Sequence, residues 1–254
     1  METLLKLSNL TKEYKKSHLW KTKRTIGVKD LSLEIYKGEI FGLLGQNGAG
    51  KTTTLKLILG LLFQNKGEIF LEGKILPNRS AIQKTGFVPE VPYFPRYLTV
   101  KEVLEFYGLL SNIPKSQIIQ RTVEVLKLMR MFEHKDKRIR ECSKGMLQRL
   151  SLAQSLIHDP ELLILDEPIT GLDPLGLAEM RELLLDLNSK GKTILFSSHI
   201  IAEVEKIAHR VGILVDGKLV KLLNSSEWNQ NGETGKLEKI YIDTVREFGV
   251  SSLL

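Results

Sequence analysis

The segment Gly45-Gln-Asn-Gly-Ala-Gly-Lys51-Thr52 limits what this 254-residue chain can become more than any other. It satisfies G-x-x-x-x-G-K-[ST] and lies between an apolar run, Ile40 to Leu44, and a helical pattern that begins at Lys51. Each fixed position has a physical reason. Gly45 and Gly50 let the backbone turn so that successive N–H groups face one phosphate chain at a helix N-terminus, where the dipole favours anions. The cradle is read as Gly45, Gln46, Asn47, Gly48, Ala49, Gly50, Lys51, Thr52 and Thr53, with Lys51 a point charge on the outer phosphates and the Thr52 hydroxyl a ligand for Mg²⁺.

The rest of the chain supplies a matching framework. Leu4 to Leu7, Leu31 to Tyr36, Ile40 to Leu44, Glu68 to Leu71 and Gly86 to Val88 read as strands, with Lys37-Gly38 and Gly73-Lys74 as turns and one helix from about Lys51 to Leu62. Residues 91 to 158 change character. Thr99-x-x-Glu102 is a capping box that opens an amphipathic helix, and Ile118, Ile119, Val123, Leu126 and Met129 recur at helical spacing. Strands return at Leu162 to Leu165 and Thr193 to Phe196, separated by a helix with Pro174 in its first turn and Gly191 after its end. That alternation predicts an α/β fold with a parallel sheet covered on its faces. Val211 to Val215 and Lys218 to Leu222, joined by Asp216-Gly217, read as a closing hairpin. After Asn224 the chain becomes polar and then weakly helical.

A phosphate cradle alone serves kinases, GTPases and motors, so the partners of the reaction decide. Leu162-Leu-Ile-Leu165 is a buried parallel strand, and Asp166 at its carboxyl end stands where open α/β sheets bind ligands, suited to hold Mg²⁺. Glu167 follows immediately, placed to orient and deprotonate an attacking water.

With these two motifs the chain resembles the ATP-binding cassette family, the nucleotide-binding subunits of ABC transporters, over about Leu4 to Leu222. The family's signature loop normally reads Leu-Ser-Gly-Gly-Gln. Here it stands as Cys142-Ser143-Lys144-Gly145-Met146, so only Ser143 and Gly145 agree, and the run resembles an exporter-type variant. The resemblance implies a P-loop core with a parallel sheet, an N-terminal antiparallel β subdomain and an inserted α-helical subdomain. Residues 1–222 then form the cassette, with the helical part at about 91–158, and residues 223–254 a short C-terminal extension. It also implies that Ser143 and Gly145 cap the γ-phosphate held by the other chain of a head-to-tail dimer. By the same resemblance His199 positions the water, Asp173 lies at the dimer seam and Tyr14 stacks on the adenine. The family's glutamine-loop position is Glu90, which reaches Mg²⁺ through an oxygen and adds a negative charge. The aromatic cluster Tyr93, Phe94 and Tyr97 lies where this family receives a short helix of its membrane partner.

The implied protein is an ATPase subunit, with ATP and Mg²⁺ as its ligands. It is a homodimer or heterodimer of cassettes that drives a separately encoded transmembrane permease, an exporter by motif style. Composition fits that picture. Hydrophobic residues at 42% and charged residues at 26% exclude disorder over most of the chain. The longest apolar run, Leu57 to Phe63, is broken by Gly60 and is far too short to cross a membrane. No export signal is read at the N-terminus, so the expected location is cytoplasmic, peripheral on the inner face of the cell membrane. Cys142 is the single cysteine, which excludes an internal disulfide. The net charge of +7 is modest and spread, and no nucleic acid is expected; the cluster Lys15, Lys16, Lys21, Lys23 and Arg24 reads as a solvated loop. Three other readings compete. One is a soluble ABC-type ATPase remodelling a cytosolic assembly complex. A non-hydrolysing sensor conflicts with Glu167 and His199, and a GTPase conflicts with Asn65-Lys66-Gly67-Glu68, which fails as a guanine-reading motif at its last position.

Overall fold

Leucine and isoleucine alternation brings the first two strands together. Leu5 faces Ile35, Leu7 faces Leu33 and Leu10 faces Leu31, all buried, while between them Lys6 meets Glu34 across the ladder at 2.8 Å. These residues belong to β1 (Thr3–His18) and β2 (Lys21–Tyr36), an antiparallel pair. The computed structural model describes residues 2–18, 21–229 and 235–249 of the chain. It divides into two compact units, Met1–Ile82 with Thr193–Leu254, and Gln83–Lys192.

In the first unit the chain passes from β2 to β3 (Ile40–Leu44), every residue of which is buried, and through the glycine-rich loop to α1 (Lys51–Ile58). β4 (Lys66–Leu71) then returns to the free side of β1, and β5 (Lys74–Ile75) pairs with β4. The result is an antiparallel sheet in the order β2-β1-β4-β5, followed by one helical turn, α2 (Arg79–Ile82).

The second unit opens with β6 (Thr85–Val88) and continues through three helices, α3 (Val100–Leu110), α4 (Lys115–Leu128) and α5 (Lys144–Leu156). The capping box of α3 is formed in both directions: Glu102 N–H donates to Thr99 Oγ1 at 3.2 Å, and Thr99 N–H to Glu102 Oε2 at 2.7 Å. α4 buries Ile118, Thr122, Val125 and Leu126, followed by Met129; Ile119, read on the apolar face from its spacing, is 61% exposed. β7 (Leu162–Asp166) pairs in parallel with β6, and α6 (Pro174–Ser189) follows.

The chain re-enters the first unit through β8 (Thr193–Ser198), α7 (Ile201–Ile207), β9 (Arg210–Val215) and β10 (Lys218–Asn224). β3 lies between β8 and β9, parallel to both, and β9 turns into β10 through Asp216 and Gly217, with φ of 48° and 79° as a type I′ hairpin requires. Two last helices are α8 (Ser225–Trp228) and α9 (Lys236–Phe248). The expected mixed α/β fold, with parallel strands and an antiparallel N-terminal sheet, is what the chain adopts.

Two local expectations change. The segment from Lys15 to Arg24, expected as a loop, continues the β1–β2 ladder as far as the pair His18 and Lys21; residues 19 and 20 lie outside the described residues. The helix expected to reach Leu62 stops at Ile58. Gly60 N–H donates to Leu57 O at 3.1 Å and Leu61 N–H to Lys56 O at 2.9 Å, the bond pair of a Schellman cap, which satisfies the last carbonyls and turns the chain away.

Candidate functional site

β3 delivers the chain into the cradle at Gly45 and α1 takes it away at Lys51, with Gly50 as the N-cap residue. Gly50 has φ +106°, and a Cβ there would strike the carbonyl oxygen of Gly27 on β2. Its own carbonyl accepts two bonds of 2.9 Å from Thr54, one from the N–H and one from the hydroxyl. The other side of the loop is held by the β9–β10 turn. Gly217 N–H donates to Ala49 O at 3.0 Å, and Gly217 O accepts from Lys29 N–H at 2.7 Å. The sequence shows Asp216-Gly217 only as a hairpin turn; its second duty as a brace for the cradle depends on β9 lying beside β3.

Within this frame Gln46, Asn47 and Gly48 are exposed, whereas Lys51 is only 5% exposed and its ammonium donates to Gly45 O at 2.7 Å and Gln46 O at 3.4 Å. A buried cation curled inside a loop of exposed amides attracts an anion of matching length, and a polyphosphate chain is such an anion. Thr52 and Thr53 begin α1 behind it.

Tyr14 sits within β1. Its phenol oxygen is 3.2 Å from Thr53 Oγ1, and its ring edge covers Gly27, where a Cβ would come within 2.6 Å of Cε2. The ring is thus anchored to the same helix start as the cradle. His199 is exposed and follows β8. The register pairs Leu44 with Ser198, so Gly45 and His199 leave their strands at the same edge of the sheet.

The second unit repeats that logic. Val88 pairs with Leu165, so the segments carrying Glu90 and Asp166-Glu167 emerge together at the carboxyl ends of β6 and β7. Glu90 is exposed, while Asp166 and Glu167 are 5% and 6% exposed. Glu167 has φ +51°, a conformation unfavourable for a residue with a side chain and concentrated at functional positions. Thr170 holds it there, donating its hydroxyl to Glu167 Oε2 at 3.1 Å and its N–H to Glu167 O at 3.2 Å. No sequence motif singles out Thr170; the turn geometry does.

Ser143 caps α5, accepting the Met146 N–H at 3.3 Å. Asp173 caps α6, accepting the Gly176 N–H at 2.7 Å, with Pro174 at the first helical position. Ser143, Gly145 and Asp173 line one cavity of about 550 Å³. Among the described residues no group of three or more His, Cys, Asp or Glu is arranged to hold a metal ion. The donors assigned to Mg²⁺, the Thr52 hydroxyl and the carboxylates of Asp166 and Glu90, are hard oxygens. They suit an ion that keeps much of its water and takes phosphate oxygens as ligands.

The family described as ABC transporter matches residues 28–170, more than half of the chain. The chain is 45% identical over 252 residues to an uncharacterized ABC transporter ATP-binding protein of Nostoc sp., an alignment covering 94% of this chain and 75% of that protein. It is 40% identical over 232 residues to the bacitracin transport ATP-binding protein of Enterococcus faecalis, covering 89% and 71%. Among solved structures, the dimeric form of an ATP-binding cassette in a post-hydrolysis state, bound to ADP and phosphate, superposes with a TM-score of 0.77 at 25% identity, over 87% of this chain and 99% of that one. Likeness of this extent, added to a strand, glycine loop and helix shaped for a phosphate chain, makes this protein a member of the ABC transporter family and of its ATP-hydrolysing, ATP-binding subunits.

Proposed function

We propose that two such chains close around two Mg-ATP and that their opening after hydrolysis drives a separately encoded transmembrane permease, in the direction of export. The observation that carries this reading is the cradle itself, a braced left-handed glycine turn with a buried lysine on its inner carbonyls. Gly45 to Thr53 bind the phosphates, Tyr14 stacks on the base, and Thr52, Asp166 and Glu90 hold Mg²⁺, which when bound neutralises charge on the outer phosphates. Glu167 takes a proton from the attacking water, His199 positions that water, and Lys51 stabilises charge on the transferred phosphoryl group. Ser143, Gly145 and Asp173 complete the site of the partner copy. In this reading residues 1–222 are the cassette and 223–254 an extension of it.

Export is supported by the exporter-like run from Ser143 to Arg149 and by the relative that acts in bacitracin transport. The permease carries the membrane path, since no described helix of this chain is long and apolar enough to cross a membrane. The chain is then peripheral, on the cytoplasmic face. Its docking surface follows β6, where Val91, Tyr93 and Tyr97 are 77%, 84% and 71% exposed. Phe94 is not part of that surface: it is 5% exposed and packs edge-on against Tyr107 with ring centroids 6.2 Å apart.

The test is a tagged pull-down from detergent-solubilised membranes with mass spectrometry of what co-purifies. A polytopic protein is expected in about equal amount, and Tyr93→Asp with Tyr97→Asp is expected to release it by roughly tenfold or more while ATP binding persists. Recovery of assembly factors alone from the soluble fraction would replace the permease by a cytosolic complex. Retained assembly by the double variant would move the docking surface elsewhere.

A further inference from the structure

The five cations expected in a solvated loop, Lys15, Lys16, Lys21, Lys23 and Arg24, stand instead in a regular ladder that no role above uses. Past Glu13 and Ile26 the register of β1 with β2 has no shift: Lys15 lies opposite Arg24, Lys16 opposite Lys23 and His18 opposite Lys21. β4 pairs with β1 only as far as Thr11, so among the described residues this end is a ribbon of two strands. The Tyr14 and His18 pairs are four residue steps apart, a reach of about 14 Å. The positive charge is concentrated here. Residues 15–24 contain five Lys and Arg and no Asp or Glu, and so supply five of the chain's seven net positive charges.

Sheet physics opposes this arrangement unless something outside the chain compensates it. A two-stranded ribbon is marginal in water, and like charges directly opposite one another weaken it further. Nearer the core the same ladder sets Lys6 against Glu34, whereas Lys15 with Arg24 and Lys16 with Lys23 are two successive pairs of cations. The base of the ribbon has a different character. Lys12 Nζ donates to Phe63 O at 2.6 Å and Glu13 N–H to Asn65 Oδ1 at 2.7 Å, so residues 63–65 run beside it. There Phe63 and Leu61 are 68% and 60% exposed, and Ile26, opposite Glu13, is 46% exposed. Cations reaching out beyond an exposed apolar margin match a lipid interface, which offers anionic headgroups at its surface and acyl chains beneath. A nucleic acid matches less well. Strong binding there takes about six to ten phosphate contacts, more than this short ribbon offers, and draws nothing from the apolar margin.

We propose that the β1–β2 ribbon, with Ile26, Leu61 and Phe63 at its base, is a membrane-surface contact that binds anionic lipid headgroups. It uses residues of the first unit alone and requires no permease, so it stands or falls apart from the docking surface that follows β6.

The experiment uses the full chain without a permease and vesicles of phosphatidylcholine, alone or mixed with phosphatidylglycerol, with binding followed by co-sedimentation at several salt concentrations. Binding to the anionic vesicles alone is expected, and it should fall as salt rises. Lys16→Gln with Lys21→Gln and Lys23→Gln is expected to weaken it by roughly tenfold to a hundredfold. Leu61→Gln with Phe63→Gln is expected to weaken it by roughly threefold to tenfold and to leave the salt dependence in place. ATP turnover and melting temperature of the lysine variant should stay near the parent's, since the change also relieves cross-strand repulsion. Equal binding to both kinds of vesicle overturns the proposal, and so does anionic binding unchanged in the lysine variant. An equal loss when Lys115, Lys218 and Lys239, exposed elsewhere, are changed to Gln would reduce the effect to net charge and overturn it as well. A polynucleotide that strips the chain from anionic vesicles at equal phosphate concentration would assign the ribbon to nucleic acid instead.

Discussion

Glu167→Gln is expected to lower steady ATP turnover by roughly 10²- to 10⁴-fold while leaving ATP binding intact. The side chain is placed for this separation of effects. It is 6% exposed, its backbone is held in the left-handed region, and one carboxylate oxygen already accepts the Thr170 hydroxyl at 3.1 Å. Glutamine keeps the shape, and its amide oxygen keeps the bond from Thr170, so the turn after β7 should survive. What is lost is a group able to accept the proton of water as the bond to phosphorus forms. Binding is assigned to the cradle in the first unit, which packs against Gly27 and is tied to Gly217, itself held by Lys29. The measurement is phosphate release under saturating ATP, alongside nucleotide titration of the same protein. Turnover within about threefold of the parent would place the general base elsewhere, and a matching loss of binding would show that Glu167 is structural.

How much of this was legible beforehand varies with the distance over which each cause acts. β3 was read as Ile40 to Leu44 and has those bounds, because five buried residues between a Lys37-Gly38 turn and a glycine loop leave no alternative. The Thr99 and Glu102 capping box and the Asp216-Gly217 hairpin were equally plain, since each is closed by partners three or fewer residues apart. The long β1–β2 hairpin was not. Its polar, cationic sequence carries a loop-like composition, and the strand state comes from antiparallel pairing that extends the buried ladder Leu5 to Leu10 outward. The sequence after Asn224 reads as polar and then weakly helical, which leaves α8 unmarked and α9 faint. They are fixed by tertiary bonds invisible to local pattern: the Glu205 carboxylate of α7 accepts the N–H groups of Gly235 and Leu237 at 2.9 and 3.0 Å, and Trp228 Nε1 donates to Glu205 O at 3.3 Å. The site divides the same way. Gly45 to Thr52 and Asp166-Glu167 announce themselves by spacing, whereas Gly27 and Gly217 acquire their duties only when strands distant in sequence lie side by side, and Thr170 only when the turn after β7 closes on Glu167.

Gly50→Ala and Lys51→Met should both abolish turnover, by roughly 10²-fold or more, yet they should part company in stability. Alanine at position 50 must adopt φ +106°, outside the ordinary left-handed basin, and its Cβ meets the carbonyl oxygen of Gly27, a backbone atom with little freedom to move. The strain costs about 2–3 kcal/mol. It falls on the residue where β2, the cradle and α1 meet, so the melting temperature should drop by several degrees. Lys51 is different. Its ammonium is nearly buried on Gly45 O and Gln46 O, and burial of a charge offsets much of what those two bonds contribute. Methionine fills similar space without the charge, so stability should stay within about 1 kcal/mol of the parent while ATP affinity falls by roughly tenfold to a hundredfold. Paired thermal melts and nucleotide titrations separate the two causes. A Gly50→Ala protein as stable as the parent would mean that the loop relaxes away from Gly27 at no cost. A Lys51→Met protein that binds ATP normally would mean that the backbone amides and the helix N-terminus hold the phosphates without the charge.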